Sequence, residues 1–174
     1  MVLLINKSKV AEVLQVAIGF NTEEFDVFIR EAQFMDLKPL VCEDFYFDVL
    51  QNKDDEPWSK LISGGDYDYK GRTYSFRGIA DVLSYFTYAR FILKANNQST
   101  THGFVTKKSP HSDPMPLEEK RNFYYKYKSD ANKIFEDTKK YIERNISDFP
   151  SWNSCSDDCG ESRRSSGFKT HVIK

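Results

Sequence analysis

Cys155 and Cys159 stand in C-x3-C spacing, with His171 further along the chain and Cys42 far upstream. Thiolates and imidazoles hold zinc when four of them close a tetrahedron. Here no finger or ribbon spacing nominates the fourth ligand, and solvated cysteines in a polar tail are the simpler account. His102 and His111 lie near Ser99, Thr100 and Asp113, residue types that serve nucleophilic catalysis, yet no G-x-S-x-G or related signature accompanies them. Asp44 and Asp48 are spaced to share a helix face, and Asp66 and Asp68 a strand face. Paired carboxylates can do general acid and base work, but such pairs are ordinary on solvated surfaces. Gly64-Gly65 and Gly71 come with neither a Walker-type lysine nor a dinucleotide fingerprint. Since no acid, base and nucleophile can be named as a set, the chain is expected not to be an enzyme and to need no cofactor or metal.

Lys120, Arg121, Lys126, Lys128 and Lys133 interleave with Phe123, Tyr124, Tyr125 and Tyr127, a mixture that in single-strand binders stacks bases and neutralises phosphates. Helical spacing instead turns part of the aromatics to a core face and leaves the bases on a solvated side. Over the whole chain 25 basic residues meet 26 acidic ones, for a net charge of -1, and a dedicated DNA-binding module would be more basic. The 14 Phe and 10 Tyr suit a packed core or wide protein contacts and do not suit disorder. An odd number of cysteines argues against a disulfide-stapled secreted fold and fits a reducing compartment. Met1 to Ile5 is too short for a signal core, and no stretch approaches a membrane span, so a protein made in the cytoplasm with no membrane partner is expected.

The elements that must position these residues are mainly helical. Asn6 or Ser8 can cap a helix to about Ala17, with Val10, Val13, Leu14 and Ala17 on one face. Asn21 with Glu24 resembles a capping box ahead of a stripe of Phe25, Phe28, Ile29, Ala32 and Met35. Pro39 interrupts that helix; Phe45, Tyr46, Val49 and Leu50 mark a third, and Pro57 starts a short turn carrying Trp58, Leu61 and Ile62. The period then changes. Tyr67, Tyr69, the Lys70-Gly71 pair, Thr73 or Tyr74, and Phe76 predict a β-hairpin at about 66–76 with a two-residue turn. Ile79, Val82, Leu83, Phe86, Arg90 and Leu93 predict a central helix, and Asn96 to Pro116 a long loop with a short extended piece at Phe104 to Lys107. From Leu117 to about Ile146 runs the longest helix, with Phe123 or Tyr124, Tyr127, Ala131, Ile134, Phe135, Thr138, Tyr141 and Ile142 near heptad spacing.

The expected organisation is therefore a helical bundle over 1–150, with an inserted hairpin and a long loop, followed by an extended tail over 151–174. Ser154 to Gly167 lacks any core-forming pattern. Phe168 to Lys174 regains near alternation, with Phe168, Thr170 and Val172 on one strand face and Ile173 beside them, and reads as a docking strand on a flexible leash.

Gly64-Gly65-Asp66-Tyr67-Asp68-Tyr69-Lys70-Gly71-Arg72-Thr73-Tyr74-Ser75-Phe76-Arg77-Gly78-Ile79 precedes the aromatic helix Leu83-Ser84-Tyr85-Phe86-Thr87-Tyr88-Ala89-Arg90-Phe91. Thr101-His102-Gly103-Phe104-Val105-Thr106-Lys107-Lys108, a Ser-Pro-rich gap and a long helix follow. In this order of elements, over roughly residues 1–150, the chain resembles the head-to-tail connector, or head-completion, proteins of tailed bacteriophages, including the ring proteins of short-tailed crAss-like phages. The resemblance implies a structural virion protein, one of commonly twelve copies in a ring between portal and tail around the DNA exit channel. Its implied partners are copies of itself, the portal protein, other connector or tail proteins, and packaged DNA passing without sequence-specific contact. Asp66, Tyr67, Tyr69, Lys70, Arg72, Tyr74, Phe76, Phe104, Phe168, Thr170, Val172 and Ile173 are then the expected interface residues, on the hairpin, loop and tail. The other reading of the same aromatic surfaces is a helical protein-binding adaptor outside a virion.

Overall fold

Asn6 and Asn21 open the first two helices as their side chains predict. Asn6 Oδ1 accepts from the Lys9 amide at 2.9 Å, and Asn21 Oδ1 from the Glu23 and Glu24 amides at 2.8 and 3.3 Å. Each satisfies amides that a helix N-terminus leaves without partners. The computed structural model describes residues 2–17, 19–95, 97–101, 103–106 and 114–152, with the backbone alone for 97–100 and 103–106. The helices are α1 (Lys7–Val13), α2 (Thr22–Ala32), α3 (Lys38–Val41), α4 (Glu43–Gln51), α5 (Trp58–Ser63), α6 (Gly78–Lys94) and α7 (Leu117–Arg144). The strands β1 (Gly65–Tyr69) and β2 (Arg72–Phe76) form one antiparallel hairpin, and β3 (Asn97–Thr100) and β4 (Gly103–Thr106) a second. The fold is mainly helical with small hairpins, as the periodicities predict. The second hairpin corrects the reading of 96–116 as loop: β3 was missed because a polar Asn-Gln-Ser-Thr strand carries no apolar alternation.

α6 is the centre. Ile79, Ala80, Val82, Leu83, Phe86 and Ala89 are buried, and so are Ser84 and Thr87 on other sides of the helix, the signature of a helix surrounded by others. α7 lies along it, while α1, α2 and α5 pack on its remaining faces. Ser84 meets its burial by donating to the Ala80 carbonyl at 2.8 Å. At one end Phe91 gathers Phe20, Phe25 and Phe28, with ring centroids 5.0 to 5.9 Å away. At the other, Phe45, Trp58, Phe149 and Trp152 pack edge-on or tilted. Phe149 is fully buried and Trp152 rests on Phe45, so the folded body runs through the 3-10 turn Pro150–Trp152 and past the expected boundary at 150. Residues 153–174, where the leash and docking strand are expected, lie outside the described residues.

The chain enters and leaves β1–β2 through two glycines packed against each other. Gly64 and Gly78 have φ of +80° and +76°, and a Cβ on Gly78 would come within 2.4 Å of the Gly64 nitrogen and 2.5 Å of the Ile62 carbonyl oxygen. No other residue type satisfies both the left-handed backbone and this approach. At the tip Lys70 and Gly71 both have positive φ, 51° and 73°, the paired left-handed residues of a type I′ turn that matches strand twist.

Between α2 and α3 the backbone widens into a π-helical segment, Gln33–Leu37. The wider turn shifts which side chains face inward: Gln33, Asp36 and Leu37 are buried, and Phe34 and Met35 face solvent. Met35, expected on the core stripe, is thereby displaced from it. Gln33 is held at both ends of its amide, donating to the Val2 carbonyl at 2.9 Å and the Tyr46 hydroxyl at 3.0 Å and accepting from the Leu4 amide at 3.0 Å. A fully buried amide with its partners supplied is well tolerated.

Candidate interaction surfaces

The hairpin turns one face into the protein and one out. Its register pairs Tyr67 with Tyr74 and Gly65 with Phe76 on the inner face, and Asp66 with Ser75 and Asp68 with Thr73 on the outer. Tyr67 and Phe76 are buried, and Phe76 stacks on Tyr141 of α7 with centroids 4.1 Å apart. Arg144, at the end of α7, donates to the Tyr67 hydroxyl at 2.7 Å, and its guanidinium lies 4.1 Å from the Tyr74 centroid and 4.8 Å from that of Tyr69. Of the expected interface residues, then, Tyr67 and Phe76 are spent on the chain's own core, and Tyr69 and Tyr74 are half-buried around Arg144. Asp66, Lys70 and Arg72 are exposed. Outside, Thr73 Oγ1 donates across the strands to Asp68 at 2.7 Å. The side chain of Phe104 and all of Phe168, Thr170, Val172 and Ile173 lie outside the described residues.

The surface that reasoning from sequence missed is made by the π turn and α4. Phe34, Met35 and Phe47 are 48, 61 and 49% exposed. Lys38 joins them, its Nζ 5.1 Å from the Phe34 centroid and 5.4 Å from that of Phe47, while it also pairs with Glu43 at 2.5 Å. A signal was present. Phe45-Tyr46-Phe47 are consecutive, and on a helix three neighbours spread over too wide an arc for all to face the core. Phe34-Met35 pose the same difficulty. Beside Met35 a shallow cleft of about 280 Å³ is lined by Pro39, Leu40, Phe86, Lys128 and Asn132.

A second apolar surface lies on the first half of α7. The buried stripe of α7 is Ala131, Phe135, Thr138, Tyr141 and Ile142 in its second half, and in the first half only Lys120 is buried. In and just before the first half, Met115, Leu117, Phe123 and Tyr125 are exposed; Phe123 stacks on the half-buried Tyr127 at 6.3 Å to form the patch, whereas Tyr125, about 200° around the helix from Phe123, faces the other way. The aromatics assigned to a core face by spacing are there only in part, because at 28 residues, about 42 Å, α7 is longer than the 17-residue α6, about 25 Å, on which it packs.

Between the two surfaces stands a buried ion cluster. The Asp36 carboxylate, 3% exposed, accepts from Arg90 Nε at 2.6 Å and Lys128 Nζ at 3.0 Å, and Glu31 accepts from Arg90 at 3.4 Å and Lys94 at 2.5 Å. Burial alone would lower the pKa of Arg90 and of Lys128, but hydrogen bonding and charge from Asp36 outweigh it and hold both above their ordinary values. Tyr88 and Tyr141 are raised chiefly by burial. Such a network fixes the π turn to α6 and α7.

No cluster of three or more His, Cys, Asp or Glu able to hold a metal occurs among the described residues; His102, His111, His171, Cys155 and Cys159 lie outside them. Cys42 is disulfide-bonded, which the odd cysteine count did not foretell. Among the described residues no helix is long and apolar enough to cross a membrane. A family model matches residues 37–161. The chain belongs to DUF6712, a family of unknown function. The matched span carries the first hairpin, α6, α7 and all of the Phe45 cluster, and leaves α1, α2, Phe34 and Met35 before it. Neither the search of curated proteins nor that of solved structures returned a match.

Proposed function

We propose that this DUF6712 chain is a structural, non-enzymatic virion protein, one subunit of an oligomeric ring between portal and tail around the DNA exit channel of a phage. The observation that carries the reading is the pair of separate apolar surfaces on one subunit, Phe34-Met35-Phe47 and, on α7, Phe123 with Tyr127. A ring closes through head-to-tail contacts, in which one patch of a subunit meets a different patch of the next. A subunit with two unlike, uncovered patches has the parts for such contacts. The exposed Asp66, Lys70 and Arg72 of the hairpin add polar groups suited to an interface rim. The near-zero net charge suits a channel through which DNA slides, because strong phosphate binding would slow its passage. The order of hairpin, aromatic helix, loop and long helix adds the resemblance to connector proteins, with portal, connector and tail proteins as partners.

Native mass spectrometry of the purified chain, alone and with a phage portal protein from the same genome, tests this. The expected result is a closed oligomer of one fixed copy number whose formation Phe123→Asp abolishes. A chain that stays monomeric under both conditions and is absent from purified particles would refute it. The second reading, a helical adaptor outside a virion, draws on the cleft beside Met35, which suits one side chain of a bound helix; it predicts a one-to-one complex and no ring.

A further inference from the structure

The described chain ends against α4, the helix that also carries Phe47 of the Phe34-Met35-Phe47 patch. Trp152 rests on Phe45 of α4, with centroids 4.9 Å apart, and residues 153–174 continue from it. Phe168 lies sixteen residues beyond Trp152, a chain length with a root-mean-square reach of about 20 to 24 Å. The patch is thus within easy span of the terminal segment.

Chemistry matches reach. Phe168, Thr170 and Val172 would share one face of an extended strand, and Lys169 and Lys174 make Phe168–Lys174 basic with no acidic side chain. Around Phe47 the outward side of α4 is acidic: Glu43 and Asp44 are exposed and Asp48 is half-exposed. Among the described residues, Asp44 and Asp48 carry no side-chain ion pair, whereas Glu43 is paired with Lys38. A short tether holds its own segment at an effective concentration in the millimolar range, far above that of a second copy in dilute solution.

We propose that in the free subunit the chain's own terminal segment, Phe168–Lys174, covers the Phe34-Met35-Phe47 patch, with its apolar face on the rings and its lysines toward the acids of α4. The segment acts as a strap that keeps the patch from other chains until assembly. This occupancy does not depend on the ring reading, and a chain that never forms a ring can still show it.

The test uses the full-length chain at a dilution where it is monomeric, with the photoreactive residue benzoylphenylalanine in place of Phe168. Irradiation and peptide mapping should give cross-links within one chain to the peptides holding Phe34 and Met35 or Phe47. Cross-links to other peptides alone, or between chains alone, would overturn the proposal. As a second measurement, hydrogen exchange of the amides of 169–174 in the otherwise unaltered chain should accelerate on the order of ten-fold in Phe47→Asp. Phe47 is half exposed, so this variant keeps the core intact, which its circular dichroism checks. Equal exchange in the two folded chains would also overturn the strap.

Discussion

Replacing Asp36 with asparagine keeps the shape of the side chain and removes the charge on which the π turn, α6 and α7 converge. Deleting one partner of a buried ion pair strands the other, at a cost of about 3–5 kcal/mol. Two features reduce that figure here. Arg90 keeps Glu31 at 3.4 Å, and Lys128 is 41% exposed and can turn to water, which leaves about 2–3 kcal/mol. In a chain of this length that lowers Tm by roughly 4–12 °C. Replacing the whole set, Asp36→Leu with Arg90→Met and Lys128→Met, strands nothing and should recover most of the loss. Urea unfolding followed by circular dichroism at neutral pH measures both. The sign of the pH dependence follows from the raised pKa of Lys128, ordinarily 10.5. Its contribution is complete below that unfolded value and disappears as pH climbs through the higher folded one, so the cost of Lys128→Met should be constant across neutral pH and shrink only in strong alkali. An Asp36→Asn chain within about 0.5 kcal/mol of the parent, or a triple variant no better than the single one, would show that the cluster does not hold these elements together.

Gly78→Ala should destabilise the chain by about 2–5 kcal/mol, from the left-handed backbone and the collision with Gly64 together, while Gly71→Ala, with open space around it, should lose only about 1–2 kcal/mol; equal urea midpoints for the two would contradict the crossing of the glycines. Arg144→Met should weaken the seat of the first hairpin by about 1–2 kcal/mol through loss of the tyrosine contacts, read as faster hydrogen exchange in 66–75 with α6 unaffected, and exchange that rises equally in both would mean the guanidinium serves general stability only.

The elements legible in the sequence are those where one local rule acts alone. Asn6 and Asn21 cap where their side chains predict, Lys70-Gly71 turns where a two-residue loop demands left-handed residues, and the stripe Phe25, Phe28, Ile29 and Ala32 is buried as spaced. The first helix ends at Val13 and not near Ala17, because Leu14 turns extended while its amide still closes on Val10. The expected core residues Val82, Leu83, Phe86 and Tyr141 are buried, whereas Tyr127 and Ile134 are only half so. What the sequence hides is register across elements. The π turn moves Met35 out and Asp36 in through a single local widening with no composition of its own, and only Arg90 and Lys128, 54 and 92 residues away, make a buried Asp36 tolerable. The hairpin tyrosines show the same limit: alternation marks an inner face, but it cannot say that Arg144 waits beneath it.

A strap and a ring make opposite demands on the Phe34-Met35-Phe47 patch, and the two are reconciled by competition for it. Free subunits that left three large apolar side chains bare would risk open, non-closing association, since a patch that meets a complementary surface without rotational closure yields fibres. A tethered segment answers this because it needs only modest intrinsic affinity: at an effective concentration of about a millimolar, a site with a Kd of about 0.1 mM is about nine-tenths covered. Weak cover is also easily displaced. A neighbour already positioned on a portal presents its surface at comparable local concentration and adds contacts that the short segment lacks, so the equilibrium shifts toward exchange without any change in the core. The displaced segment then becomes available to a neighbour, and the same residues that guard the subunit before assembly can join subunits after it.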